Sequence, residues 1–391
     1  MKRAPFVRRS PRSPNHRLES LEGRVLFSTT LFPFHESHAS TLPAIHVPKP
    51  LVVPPSLLTQ LATAPSITPS TIPANGDVNP YGLAFVPQGF PKGGPLQPGD
   101  LLVSNFNAAS NLQGTGTTID RITPAGQVST FFQGPAGLGL STALDVLRSG
   151  FIVVGSLPTT DGSSATAQPG SLLILDKFGL QIASFANAAF LNGPWDMTVN
   201  DQGSHAQLFI ANALSGTVTR IDLQFPGTDS LTVQGVTQIA SGYTHRGDPN
   251  ALVLGPTGLA YNAHADTLYV ASTADNAIFA IAHAGKAATD AGTGASIFAD
   301  ASHLHGPLGL VLAPNGNLIV ANGDAINAVD AQPSELVEFT TAGQFVAQFS
   351  LDPAAADPFG IAVTSASKGQ VRFAAVNDNH NTVSIWTIPH P

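Results

Sequence analysis

Pro256-Thr-Gly-Leu-Ala260 opens a stretch that runs on through Leu268-Tyr-Val-Ala-Ser272 to Ile278-Phe-Ala-Ile281. The opening phrase recurs as Pro80-Tyr-Gly-Leu-Ala84, Pro307-Leu-Gly-Leu-Val311 and Pro358-Phe-Gly-Ile-Ala362. Two further copies, Pro194-Trp-Asp-Met-Thr198 and the weaker Ala143-Leu-Asp-Val-Leu147, carry Asp where the others carry Gly. Gly258, Gly309 and Gly360 follow one another at intervals of 51 residues. A fixed period of this size marks stacked units, each unable to bury its own apolar faces alone.

Each phrase is followed by short apolar segments. The second segments are 101–106, 151–155, 208–212, 268–272, 318–322 and 371–377, and the third are 119–122, 172–175, 218–221, 278–281, 336–339 and 383–388. Fourth segments follow at 127–132, 181–185, 237–240, 296–298 and 345–349. All are β-branched or aromatic and bounded by Gly, Pro, Asn or Asp, the mark of strands. Four strands repeated six times predict an all-β chain, a six-bladed β-propeller of four-stranded blades. The last unit lacks a fourth strand, and its open edge needs cover. Leu58-Thr-Gln-Leu-Ala62 resembles Val236-Thr-Gln-Ile-Ala240, so 56–63 is expected to be the N-terminal strand that closes the last blade. The expected division is a basic segment 1–45, a Pro/Ser/Thr-rich linker 46–79 holding the closing strand, and the propeller 80–391.

Composition agrees. The chain has 391 residues, 43% hydrophobic and only 11% charged, with 37 Gly and 32 Pro for turns. All but five of the 25 acids are Asp, which favours turns over helix interiors. Residues 1–24 carry seven Lys or Arg against two Glu, a net of +5, so the remainder carries −13 of the total −8. An acidic body is a poor partner for phosphate backbones, and no nucleic acid is expected. The absence of Cys excludes disulfides, thiolate metal sites and Cys nucleophiles. No apolar run is long enough for a transmembrane helix.

Near the N-terminus, Arg17-Leu-Glu-Ser-Leu-Glu-Gly-Arg-Val-Leu-Phe-Ser28 resembles the LEPR-XLL segment of exported bacterial proteins, with Gly23 and Phe27 departing from it. The resemblance implies an extracellular or cell-surface location. Residues 80–390 resemble the NHL-repeat propellers and their SMP-30/gluconolactonase-like relatives. The phrases carry this resemblance, together with Leu268-Tyr-Val-Ala-Ser-Thr-Ala-Asp-Asn-Ala-Ile278, where Ser272 replaces the usual Asp.

That family hosts binding modules and enzymes alike. Its lactonases hold a divalent metal with a Glu before the first phrase and an Asp just after a phrase proline. Here those positions are Asn79 and Tyr81, Trp195, Thr257, Leu308 and Phe359, which make poor ligands for a hard cation. Asp145 and Asp196 align on adjacent blades and could share a proton or hold a cation such as calcium; each could equally cap local backbone. The cofactor is otherwise unassigned. Asn105, Asn212, Asn322 and Asn377 end second strands and could add oxygen ligands. Tyr81, Trp195 and Phe359 could form an aromatic rim for a small molecule, glycan or protein, or plug the channel. His303 and His305 share a strand face, yet no third zinc ligand is evident, and solvated loop histidines are expected. The expectation is a non-catalytic, surface-associated binding or interaction module, with enzyme activity left open. The alternative is a metal-dependent hydrolase or lyase of the SMP-30 class.

Overall fold

The computed structural model describes residues 55–390, apart from 228, 229, 330, 356 and 368. The basic segment 1–45, with its LEPR-XLL-like stretch, and the first part of the linker lie outside the described residues.

The described residues form six four-stranded antiparallel sheets and one two-stranded ribbon. Blade 1 comprises Val78–Phe85, Leu101–Asn107, Thr118–Ile122 and Val128–Gln133. Blade 2 comprises Leu140–Val146, Ile152–Ser156, Ser171–Leu175 and Gln181–Phe185. Blade 3 has longer outer strands: Pro194–Asp201, His205–Asn212, Thr217–Gly227 and Ser230–Ala240. Blade 4 is Pro256–Asn262, Thr267–Ser272, Ala277–Ala282 and Ala295–Phe298, and blade 5 is Pro307–Leu312, Leu318–Asn322, Glu335–Phe339 and Phe345–Ser350. Blade 6 is Ile361–Ala366, Gln370–Asn377 and Thr382–Pro389, completed by Ser66–Ile67 from the N-terminal side. Each phrase thus enters or forms the first, innermost strand of its blade. These inner strands touch one another in sequence, and the strand of blade 6 touches that of blade 1, closing the ring.

Burial follows the same ring. Leu144, Val154 and Leu173 of blade 2 pack against Ala84, Leu102 and Ile119 of blade 1. On the other face of blade 2, Val153 and Ile174 pack with Met197, Leu208 and Ile221 of blade 3. Equivalent clusters join every adjacent pair, including blade 6 with blade 1 through Val376, Val383, Leu83 and Val103. Both faces of each sheet are therefore buried, which is why the strands read as apolar runs rather than clean alternation. Each fully buried Leu, Ile, Val or Phe contributes roughly 1.5–3 kcal/mol.

The phrase glycines have a steric cause. A Cβ at Gly360 would strike the Tyr81 carbonyl oxygen of blade 1, and one at Gly309 would meet that of Phe359 in blade 6 at 2.5 Å. Neighbouring inner strands approach so closely there that Gly309 N–H donates to Phe359 O at 3.0 Å. Only a residue without a side chain fits such a contact.

Closure is N-terminal as expected, but by a different segment. Residues 56–63 are not the closing strand: Leu57–Leu61 is a short helix, N-capped by Ser56, whose Oγ accepts from Thr59 N–H at 3.2 Å. Leu57, Leu58 and Leu61 lie on one helical face and pack with Trp386 and Ile388 of blade 6 and Leu336 of blade 5. The buried Glu338 carboxylate accepts from Ser56 Oγ at 2.6 Å and Leu58 N–H at 3.1 Å, satisfying a free donor of the first turn. The Leu spacing fits a helical stripe, which outweighs the likeness to Val236–Ala240. The edge of blade 6 is instead taken by Ser66–Ile67, opposite Trp386 and Ile385, with a further bridge from Ser70 to Thr382. Pro65 and Pro69 flank this strand and keep it short.

Candidate functional site

The channel enclosed by the six inner strands differs at its two ends. Where the strands begin, Tyr81, Trp195 and Phe359 meet. Tyr81 stacks on Phe359 at 4.5 Å and on Phe106 at 4.6 Å, and Trp195 stands edge-on to Tyr81 at 5.8 Å. Tyr81 and Trp195 are each only 3% exposed. Leu157, Ala213, Leu252 and Val253 complete this cluster. The three aromatics are a plug and not a rim; their faces are spent on one another. Burial pushes the Tyr81 phenol far up.

Beyond the plug lies a cavity of about 250 Å³, lined by Leu83–Phe85, Thr142, Leu144, Asp145, Asp196–Thr198 and the inner strands of blades 4, 5 and 6. At the far ends of these strands Thr198, Tyr261, Val311, Leu312 and Val363 are half-exposed, so the cavity faces solvent there.

Asp145 and Asp196 are both in this cavity, on adjacent blades, as their alignment implied. They occupy the phrase position that is glycine elsewhere. Asp196 reaches from blade 3 to blade 4: its Oδ2 accepts from Leu259 N–H at 3.1 Å. Asp145 Oδ1 accepts from Val146 N–H at 2.7 Å. Each carboxylate keeps some access to the cavity, yet inner strands surround it. Burial is the main cause that pushes both carboxyls up to about 7, opposed by these backbone donors. The negative charge of Asp201 adds to the rise at Asp145, and that of Asp145 to the rise at Asp196. Backbone capping therefore holds for both, and the charge of Asp145 reaches Asp196.

The strand-end asparagines do not join them. Asn212 donates to Phe190 O at 3.1 Å and accepts from Asn192 N–H; Asn322 donates to His303 O and accepts from His305 N–H. Asn105 donates to Thr71 O at 3.0 Å, and Asn377 to Asp352 Oδ2 at 2.8 Å. Each fastens loops of its own blade or the N-terminal strap, and none lines the cavity. Thr142 and Thr198, which do line it, were not singled out in the sequence; only their nearness to the two Asp residues could have marked them.

The lactonase-type metal does not fit. The positions that would hold it carry the plug aromatics and Thr257, whose hydroxyl is buried and bonded to Pro307 O at 3.1 Å. Among the described residues no group of three or more His, Asp or Glu side chains is arranged to hold a metal ion. No helix of the described residues is long and apolar enough to cross a membrane.

No protein-family model and no curated protein matches the chain. Solved structures do. One, described as a gluconolactonase from Xanthomonas campestris, matches with a TM-score of 0.52 at 14% identity, covering 84% of this chain and 92% of that one. Another, a luciferin-regenerating enzyme, matches with a TM-score of 0.50 at 12% identity, covering 83% and 95%. These neighbours are described as enzymes, and the expectation of a non-catalytic binding module is corrected on that account. Tyr81, Trp195 and Phe359 pack on one another, and the asparagines bond within loops. The chain shares the β-propeller fold of these neighbours.

Proposed function

We propose that the protein is a hydrolase of small esters or lactones that uses Asp145 and Asp196 as a proton-sharing pair. The observation that carries this is the placement of both carboxyls in one cavity, each pushed up to about 7. With both carboxyls near 7, each is about half protonated near neutral pH, so an ionised one beside a protonated one is a populated state. That is the state general acid–base catalysis requires. The ionised carboxylate takes a proton from water as the water oxygen bonds to the acyl carbon. The protonated one gives its proton to the departing alkoxide as the acyl–oxygen bond breaks. One proton remains on the pair afterwards. The gluconolactonase likeness supports the reaction class and not the substrate. The cavity of about 250 Å³ suits a small molecule.

The test is a panel of uncharged lactones and aryl esters assayed from pH 5 to 9. A bell-shaped profile is expected, and Asp145→Asn or Asp196→Asn should each lower kcat by about a hundredfold or more. Turnover indifferent to both substitutions, or no turnover of any panel member, overturns the proposal. The NHL-type character of the repeat rests on Leu268–Ile278, and we propose surface delivery on the strength of Arg17–Ser28 alone; a reporter fused after residue 45 that stays inside the cell would sink the latter.

A further inference from the structure

Blades 3 and 4 part around a second cleft, polar and beside the channel mouth. It measures about 570 Å³ and is lined by Asn200, Gln207 and Asp222 of blade 3 and by Tyr261, Asp266 and Lys286 of blade 4. That size is within the range of small-molecule sites. Tyr261 lines the channel cavity as well. Asn200 lies two residues beyond Thr198 on the inner strand of blade 3, and residues so spaced share one face of a strand. The cleft therefore opens next to the mouth. Closer to the plug the same junction is closed by Phe209, which stacks on Tyr261 at 4.6 Å; from Gln207 outward polar groups take over. The third and fourth strands of blade 3, eleven residues each, run past those of the other blades and supply the wall that carries Asp222.

The polar side chains are held in place by one another. Asn200, Gln207 and Asp222 stand side by side on three neighbouring strands. Asn200 donates to Gln207 Oε1 at 3.0 Å, and Gln207 donates to Asp222 Oδ1 at 2.9 Å and to Gly285 O at 2.8 Å. Asp266 Oδ1 accepts from the Tyr261 hydroxyl at 2.8 Å and from Gly285 N–H at 2.7 Å. A Cβ on Gly285 would lie 2.6 Å from Tyr261 Oη and 2.9 Å from Asp266 Oδ1, so the bare glycine lets these groups converge. Side chains fixed before a ligand arrives lower the cost of binding it. What they leave over is a mixture of donors and acceptors. The Asn200 amide keeps its oxygen and one N–H. Asp266 Oδ2 has no hydrogen-bond partner among the described residues, and the exposed Lys286 Nζ lies 4.0 Å from it. Arg220 pairs with Asp222 at 3.2 Å, so the two carboxylates of the cleft are matched by two cations.

We propose that this cleft holds a neutral saccharide, the alcohol portion of the ester cut in the channel; the substrate assignment rests on the hydrolase reading above. A sugar hydroxyl both donates and accepts, which suits leftover amide, carboxylate and ammonium groups at fixed positions. An anionic ligand would meet Asp222 and Asp266, and a cationic one Arg220 and Lys286, so charge is selected against on both sides. An acyl group on the saccharide is presented at the channel mouth, where Tyr261 is the shared wall. When water adds to the acyl carbon and the acyl–oxygen bond breaks, the departing alkoxide is the saccharide's own oxygen, and the products are the carboxylic acid and the free sugar.

The experiment titrates the full chain with cellobiose, maltose, xylobiose and diacetylchitobiose, by calorimetry and saturation-transfer NMR, with glucuronate and glucosamine as charged comparators. At least one neutral probe should bind in the millimolar range or tighter, and more tightly than either comparator. Asn200→Ala should weaken that binding tenfold or more, as should Ala263→Trp, which fills the cleft from its exposed edge. Leu180→Ser, on the exposed blade 2 hairpin, should leave it unchanged. The acetate ester of the probe that binds should be hydrolysed with a KM at least tenfold below that of p-nitrophenyl acetate, and Ala263→Trp should abolish that preference. Should Asn200→Ala not fold, Ala263→Trp and Gln202→Ala carry the test. The proposal is overturned if no neutral probe binds, if a charged comparator binds more tightly, if binding survives the cleft substitutions, or if the acetylated probe is no better a substrate than the simple ester. Saccharide binding without hydrolysis of any ester overturns the channel chemistry and the substrate assignment with it; hydrolysis of simple esters without saccharide binding overturns the cleft alone.

Discussion

Replacing Asp196 by Asn removes one member of the channel pair while keeping an oxygen that can accept from Leu259 N–H. In the folded protein burial holds this carboxyl near 7, against 3.8 when exposed. Between those two pH values the folded chain binds a proton that the unfolded chain has released. Stability from this group is therefore fully present below about pH 4 and is lost as pH rises through 7. The full difference corresponds to about 4 kcal/mol at alkaline pH. Solvent reaches the carboxyl through the cavity, so about half, roughly 2 kcal/mol, is expected. Urea unfolding at pH 4.5 and pH 8 measures it. Asp196→Asn should gain about 2 kcal/mol over the unaltered protein at pH 8 and only about 0.5 kcal/mol at pH 4.5. Asp120, Asp357 and Asp378, raised to about 6, 8 and 7 mainly by burial, impose the same downward slope on both proteins, so the difference isolates Asp196. A difference that does not change with pH would refute burial of a titrating pair in the channel.

Three further outcomes are expected. Trp195→Ala should cost about 3–5 kcal/mol, because the plug packs around its ring and little there can collapse into the gap; a loss under 1 kcal/mol in chemical denaturation would show that the plug adds little to stability. Leu61→Ala should cost about 2–5 kcal/mol by unseating the short helix from blades 5 and 6, again read by denaturation. A chain beginning at residue 55 should melt within a few degrees of the full chain, whereas one beginning at residue 78 should melt far lower and aggregate, since it exposes the edge of blade 6.

What the sequence by itself determined is the repeat. The Pro-x-Gly phrases, their interval of 51 and the apolar segments after them specify six similar sheets, because any unit with that pattern must bury both faces against its neighbours. Asp145 and Asp196 stood out for the same reason: they break a position that close backbone approach otherwise reserves for glycine, as at Gly309 and Gly360. Tertiary structure alone decided what hangs on contacts distant in the chain. The leucine spacing of Leu57–Leu61 suits a helix, but only the fold brings Glu338, some 280 residues away, to accept from Leu58 N–H and Ser56 Oγ, and the strand Ser66–Ile67 was hidden in a segment whose prolines read as linker. Whether Tyr81, Trp195 and Phe359 faced solvent or one another depended on how the blades come together, which no local pattern encodes. The burial of His305 against Glu335 likewise follows from the path of the loop between them, and local sequence describes only a histidine before a proline.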